Sequence, residues 1–256
     1  MPNPIAHPAV SIPFTKVGMV FSALVIGSIS PDFGYFIPLP MTYFMYSAPG
    51  LILFDVPMGF ILLWFFHALV KWPLLSLLPE SLQRRFFKHA QGFSFGPRKR
   101  TGLLLLSLLV GSLTHVVWDS FTHDYGWVVE QFAFFRTPIG GTPLYTILQH
   151  LSTILGVCIL LYWFIRWLPT APQSEQVPAH FPPVFQNLFF SLTALSLAAV
   201  ESAIIYSRVM TGSLFAREHL LFHSITISAA FIISFFAGIY CLLWMIAFGK
   251  TIHSAD

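Results

Sequence analysis

Charge is what this sequence has least of. Asp, Glu, Lys and Arg make up 9% of its 256 residues, against about 25% in an ordinary soluble domain. That scarcity excludes a large water-facing surface. Cysteine is nearly absent too: Cys158 and Cys241 each lie inside an apolar run, which excludes a disulfide framework. The chain has no Gly-x-Ser-x-Gly elbow, no Gly-rich phosphate loop and no cysteine pair at zinc spacing. It carries no internal repeat, no low-complexity segment and no stretch that reads as a soluble domain. Met1 to Lys16 lacks the basic start and small-residue cleavage site of a signal peptide, so the first apolar stretch is expected to be retained.

What is present is apolar bulk. The chain is 56% hydrophobic and 17% aromatic, with mean hydropathy +0.74, so lipid is its expected solvent. About 20 apolar residues cross a bilayer as a helix, and six stretches approach that length. They are Phe14–Ser30, Gly50–Val70, Thr101–Phe121, Leu144–Leu168, Val184–Tyr206 and Ser224–Phe248. The first is the shortest. Proline-rich breaks at 31–49 and 169–183 separate several of them, since proline cannot continue a helix. The expected fold is an all-α, polytopic membrane bundle of about six membrane-embedded helices, forming a single domain over 1–256. Residues 1–168 form its core and 169–256 supply two C-terminal helices.

Orientation follows from the basic residues. Lys71, Arg84, Arg85, Lys88, Arg98, Lys99 and Arg100 place seven of the thirteen in one connection, which marks it as cytoplasmic. Six spans then put both termini on the cytoplasmic side, with only Arg136, Arg208 and Arg217 outside. The basic loop reads as an orientation signal, so no nucleic-acid partner is expected despite a pI near 9.0. The expected location is the inner (cytoplasmic) membrane, with membrane lipids as partners. In this topology Asp32, Asp55, His115, Asp119, His123, Asp124, Glu130, His150, Glu201, His219 and His223 all fall near the outer surface.

The most informative stretch is Thr114-His115-Val116-Val117-Trp118-Asp119-Ser120-Phe121-Thr122-His123. Ionisable groups are costly in hydrocarbon, and three of them share one stripe at the end of an apolar run. Four residues is also the spacing at which two helical side chains hold one metal ion. Positions 115 and 123, however, stand about 12 Å apart along a straight helix. Three possibilities remain: His115 and Asp119 chelate one ion with ligands from elsewhere, two ions bind, or His123 lies past the helix end, where Asp124-Tyr125-Gly126 reads as a turn. The bland alternative is a set of interhelical hydrogen bonds.

Other residues are more open. Ser30-Pro31-Asp32 presents a carboxylate at a membrane surface, or simply ends a helix. His7 lies on the opposite side from the stripe in the simple topology; it joins only if residues 8–30 form a re-entrant hairpin, for which Pro8 and Pro13 leave room. His150 suits a ligand, a proton relay or a buried hydrogen-bond partner. His219 and His223 read as an amphipathic lead-in to the last helix. Glu201 is an intramembrane carboxylate and so a functional candidate, or the partner of Arg208. Asp55 is likewise a functional candidate or only an interfacial residue, and His67 lies near the cytoplasmic end.

His7, the segment Ala23–Phe33 with its Ser-Pro-Asp, the Pro49-Gly50 pair, and Thr-His-x-x-x-Asp-Ser-Phe-Thr-His at 114–123 together resemble a bacterial family of multi-pass membrane proteins. That family is known only as a domain of unknown function. Gly126-Trp127 and Leu148–Ser152 also fit its pattern. The resemblance covers most of 5–165 and is weak in the last two helices. The family is in turn similar to inner-membrane proteins assigned as metal-dependent hydrolases, and more distantly to zinc-dependent phospholipases C and nucleases. The resemblance implies one metal site from His7, Asp32, His115 and Asp119, with His123 and His150 nearby. In one place the chain departs from it: Tyr46-Ser47 stands where relatives carry a histidine before Ser or Thr, so Tyr46 either removes a ligand or replaces it.

The expectation is therefore a membrane-bound, divalent-metal (zinc) hydrolase acting on a membrane-associated ester or phosphoester. His123 or His150 would be its acid/base group and the substrate would be lipid-like. The alternative is a transporter or channel with a His/Asp proton or cation path, and a third reading is a haem or assembly protein.

Overall fold

The computed structural model describes residues 4–36, 42–210 and 218–252. Arg217 and His253, and the side chains of Arg208, Glu218, His219 and His223, lie outside what is described. The principal helices are α1 (Phe21–Ile29), α2 (Ala48–Ser76), α3 (Glu80–Gln91), α4 (Arg98–Asp119), α5 (Leu144–Trp167), α6 (Pro183–Met210) and α7 (Glu218–Ile252). The fold is an all-α polytopic bundle, and among the described residues five helices (α2, α4, α5, α6 and α7) are long and apolar enough to cross a membrane. Among the described residues the only strands are the two-residue pair Pro138–Ile139 and Thr142–Pro143. Many large apolar side chains point outward, such as Ile61, Leu155 and Ile246, as suits helices in lipid.

The first expected span is not one helix. Residues Pro8–Ser11 and Ile12–Val17 form short helical pieces, and the chain then reverses at Gly18, whose φ of 86° glycine adopts without strain. The returning helix α1 has nine residues, about 14 Å of rise, roughly half the hydrocarbon thickness. The N-terminal segment is therefore a helical hairpin, none of whose pieces is long enough to cross a membrane.

A small-residue seam holds α1 against α4. Ala23 and Gly27 on α1 face Ser107 and Gly111 on α4, the small-xxx-small spacing that lets membrane helices touch backbone to backbone. A Cβ on Gly27 would collide with the Leu108 carbonyl, and one on Gly111 with the Leu24 carbonyl. Hydroxyls complete the seam: the Val20 N–H donates to Ser107 Oγ (3.0 Å), Ser112 Oγ to the Gly27 carbonyl (3.0 Å), and Ser30 and Ser112 pair at 3.0 Å. Val20, Ala23, Ile26, Leu63, Leu104 and Leu108 form the apolar core beneath. His67 is held in this unit by Ser22 (3.0 Å) and stacks on Phe93, a structural role.

The chain divides into two compact units, Met1–His67 with Gly92–Pro172, and Ala68–Gln91 with Gln173–Asp256. In the second, Ser76 pairs with the buried Tyr240 at 3.0 Å, and Trp244 Nε1 donates to the Ala179 carbonyl at 2.8 Å. Arg84 donates to the Ser174 and Glu175 carbonyls and to Glu80, so at least one residue of the basic loop is also a structural fastener. Glu201 accepts from Ser228 Oγ at 2.7 Å, between α6 and α7.

Candidate metal centre

The last two turns of α4 and the hairpin build one buried cluster. His115 and Asp119 lie four apart on α4, so their side chains meet, with Nε2 3.2 Å from Oδ2. The helix ends at Asp119, and the turn that follows folds His123 back over it. His123 Nδ1 stands 3.5 Å from Asp119 Oδ2, which resolves the 12 Å problem of a straight helix. Asp32 enters from the turn after α1, its Oδ1 3.5 Å from His115 Nε2. His7 arrives on the opposite strand of the hairpin; its ring stacks on His115 at 3.9 Å, and its Nε2 is 3.5 Å from Asp119 Oδ1.

The tautomer of His115 follows from one contact. Its Nδ1 lies 2.7 Å from the Ser28 carbonyl. A carbonyl only accepts, so Nδ1 carries the hydrogen and Nε2 turns its lone pair to the cluster. That lone pair faces two carboxylate oxygens, an arrangement that calls for a cation between them. If the ring were instead an imidazolium, charge-assisted bonds of about 2.7–2.9 Å would be expected, shorter than the observed 3.2 and 3.5 Å. Ligands about 2.1 Å from a tetrahedral ion stand about 3.4 Å apart. The spacings match the edges of a coordination shell.

The donors also fit a metal in number and kind. His7, Asp32 and His115 each present one ligand atom within 4.8 Å of the others, and all three residues are buried. His7 Nε2, Asp32 Oδ2, Asp119 Oδ1 and His123 Nε2 have no hydrogen-bond partner among the described residues. Burial pushes the His7 pKa down to about 3, so the ring stays neutral and able to ligate. Burial likewise lowers that of His123.

Tyr46 completes the ring. Its Oη is 3.4 Å from Asp32 Oδ1, 3.3 Å from His115 Nε2 and 3.2 Å from Asp119 Oδ2. The hydroxyl thus stands among the candidate ligands, at the position where the resemblance implies a histidine. His150, by contrast, is exposed on α5 and makes no hydrogen bond or ion pair among the described residues. Asp55, a carboxylate inside the apolar stretch Gly50–Val70, is fully buried, and neither of its oxygens has a partner among the described residues.

Fold and site together define a polytopic helical membrane protein with a buried histidine–carboxylate cluster at the end of one membrane helix. The chain belongs to the family described as Domain of unknown function (DUF4184), whose profile matches residues 1–247. The match extends through α6 and most of α7, beyond the region where the motif resemblance is strong. No curated protein and no solved structure matches the chain.

Proposed function

We propose that this protein is a membrane-bound, metal-dependent hydrolase that cleaves an ester or phosphoester bond of a membrane-associated substrate. The observation that carries the reading is the set of 3.2–3.5 Å spacings among His7, Asp32, His115, Asp119 and Tyr46, too long for charge-assisted hydrogen bonds and right for ligands around one ion. Nitrogen and carboxylate donors favour zinc. A bound ion would polarise the scissile bond and lower the pKa of a water molecule. The chain's own residues do the rest. Ser28 orients His115, and Tyr46 offers a hydroxyl to the ligand oxygens. His123, neutral and held over Asp119, is the acid/base group; the exposure of His150 leaves it outside this role.

A lipid-like substrate is favoured by a cavity of about 190 Å³ beside His7, walled by Ala6, Val10, Trp118, Leu155 and Ile159. Its lining is almost wholly apolar and suits an alkyl chain. For orientation, the basic connection after α2 is taken as cytoplasmic. On that reading the cluster and His7 lie together at the outer surface of the inner membrane, with the C-terminus inside, as five spans and a hairpin allow.

Metal analysis of the purified full-length chain tests the reading. Stoichiometric zinc that disappears in His115→Ala and Asp119→Ala, together with hydrolysis of ester or phosphoester lipids in nanodiscs, is the expected result. A metal-free protein that conducts protons in liposomes would establish the transport alternative instead, and a haem absorption band the third.

A further inference from the structure

The connection between α4 and α5 shows more apolar surface than a water-facing loop carries. Trp127, Phe132, Phe134 and Ile139 are each between 55% and 68% exposed. Large apolar groups gathered on one segment mark an interaction surface. Their neighbours Val128 and Val129 are buried, so the segment is two-faced rather than merely unpacked.

Local structure holds this segment in place. Trp127–Gln131 is a short helix, Ala133–Arg136 is a 3-10 turn lying on α5, and Pro138–Ile139 pairs with Thr142–Pro143. Arg136 ties the pieces together: its Nη2 donates to the Asp124 carbonyl at 2.8 Å and its Nε to the Val129 carbonyl at 3.3 Å. At the start of α5 the Leu144 N–H donates to the Thr137 carbonyl at 3.1 Å. The Val129 N–H donates to the Ser120 carbonyl at 3.3 Å, which joins the segment to the turn that carries His123. A hydrogen-bonded backbone thus displays the exposed side chains.

The surface continues one that faces lipid. Val117 and Trp118, at the end of α4, are exposed, as is Phe121 just beyond it. The Phe121 ring meets that of Phe135 at 5.9 Å, and Phe135 meets Phe134 at 5.6 Å, so aromatic contact runs from there into the connection. Both flanking helices are long and apolar enough to cross a membrane, which keeps the connection close to the bilayer surface. Tryptophan favours that boundary, where its ring sits among apolar groups and its N–H reaches water. The charged residues of the connection are Asp124, Glu130 and Arg136, a mixture with no basic excess to draw anionic headgroups.

We propose that residues 127–139 form an interfacial anchor, seated in the lipid leaflet on the side of the membrane where the cluster lies. Its partner is the boundary between phospholipid headgroups and acyl chains, and burial of aromatic and aliphatic surface drives the insertion. The inference is independent of any metal and of the reaction.

Two reporters in the full-length protein, reconstituted in phosphatidylcholine nanodiscs, test it. Emission of the wild type minus that of Trp127→Phe isolates Trp127. That emission should be largely lost when the lipids carry bromine near the headgroup end of their chains, and should change little with aqueous iodide. A nitroxide on Ile139→Cys, with Cys158→Ser and Cys241→Ser, should be reached more readily by oxygen than by a water-soluble nickel chelate. Adding anionic lipid should leave both results unchanged. Quenching of Trp127 by iodide and not by bromine overturns the anchor, as does ready access of the nickel chelate to residue 139. Protection of Trp127 from both quenchers overturns it in favour of a protein partner or a second copy of the chain.

Discussion

The imidazole of His7 stacks on that of His115, ring centroids 3.9 Å apart and planes inclined by 26°. The pairing joins the start of the chain to the end of α4 and makes the hairpin a structural part of the site. His115 is oriented from both sides, by the His7 face and by the Ser28 carbonyl 2.7 Å from its Nδ1. Its Nε2 has little freedom to turn away from the carboxylates.

Tyr46→Phe removes the one hydroxyl that touches three ligand side chains, with little change of shape. Metal affinity should fall about 10–100-fold, the usual cost of losing a group that orients a metal ligand. Tyr46→His should keep the ion. Competition with a chelator of known affinity reads both, and undiminished affinity in Tyr46→Phe would remove the residue from the site.

The seam between α1 and α4 has no room for a side chain at Gly27 or Gly111. Gly27→Val drives a branched side chain into the Leu108 backbone, and overpacking of this kind costs about 1–3 kcal/mol or more. The melting temperature in detergent should drop, and metal should be lost as Asp32 and His115 separate. Gly102→Ala, on the same helix as Gly111 with open space at its Cβ, should leave both unchanged.

Neutral His7 gives the metal-free protein an acid limit. In the unfolded chain the ring takes a proton near its ordinary pKa of 6.5, whereas the folded site refuses it until about pH 3. Below pH 6.5 the unfolded chain therefore binds the extra proton, and stability falls as pH drops from there towards 3. His7→Gln should lose part of that slope. Melting temperature against pH, measured with a chelator present for both proteins, makes the comparison; parallel curves would count against a buried neutral His7.

His123 and His150 should separate cleanly. His123→Ala should cut turnover about 10²–10⁴-fold, the range for a lost acid/base group, while metal content stays near wild type. His150→Ala should leave both metal content and turnover unchanged. A reversal of the two would move the acid/base role to α5.

How much of this could be read from residues alone varied with the range of the contact. The His115–Asp119 spacing is a local property of any α-helix, and the structure has those two side chains 3.2 Å apart. Termination of α4 ahead of His123 was visible in the turn residues Asp124-Tyr125-Gly126. The place of His7 was not, because it depends on whether 8–30 spans or reverses, and a short apolar stretch with two prolines permits either. Gly18 carries the reversal through its backbone conformation, which composition does not reveal. Tyr46 drew attention only as a departure from a resemblance. The burial of Asp55 depends on how its turn packs against α4, a contact between distant segments that the residues leave open.

The hairpin also sets an order of assembly. His7 and Asp32 leave the ribosome before α4 exists, and at about 5–20 residues per second they wait several seconds for His115 and Asp119 to follow. During that interval the returning helix has neither its glycine-lined partner nor the hydroxyls that satisfy it. The complete histidine–carboxylate cluster forms only after α4 has packed beside the hairpin, so under the proposed function metal loading would be a late step in biogenesis and a report that the first half of the chain has closed correctly.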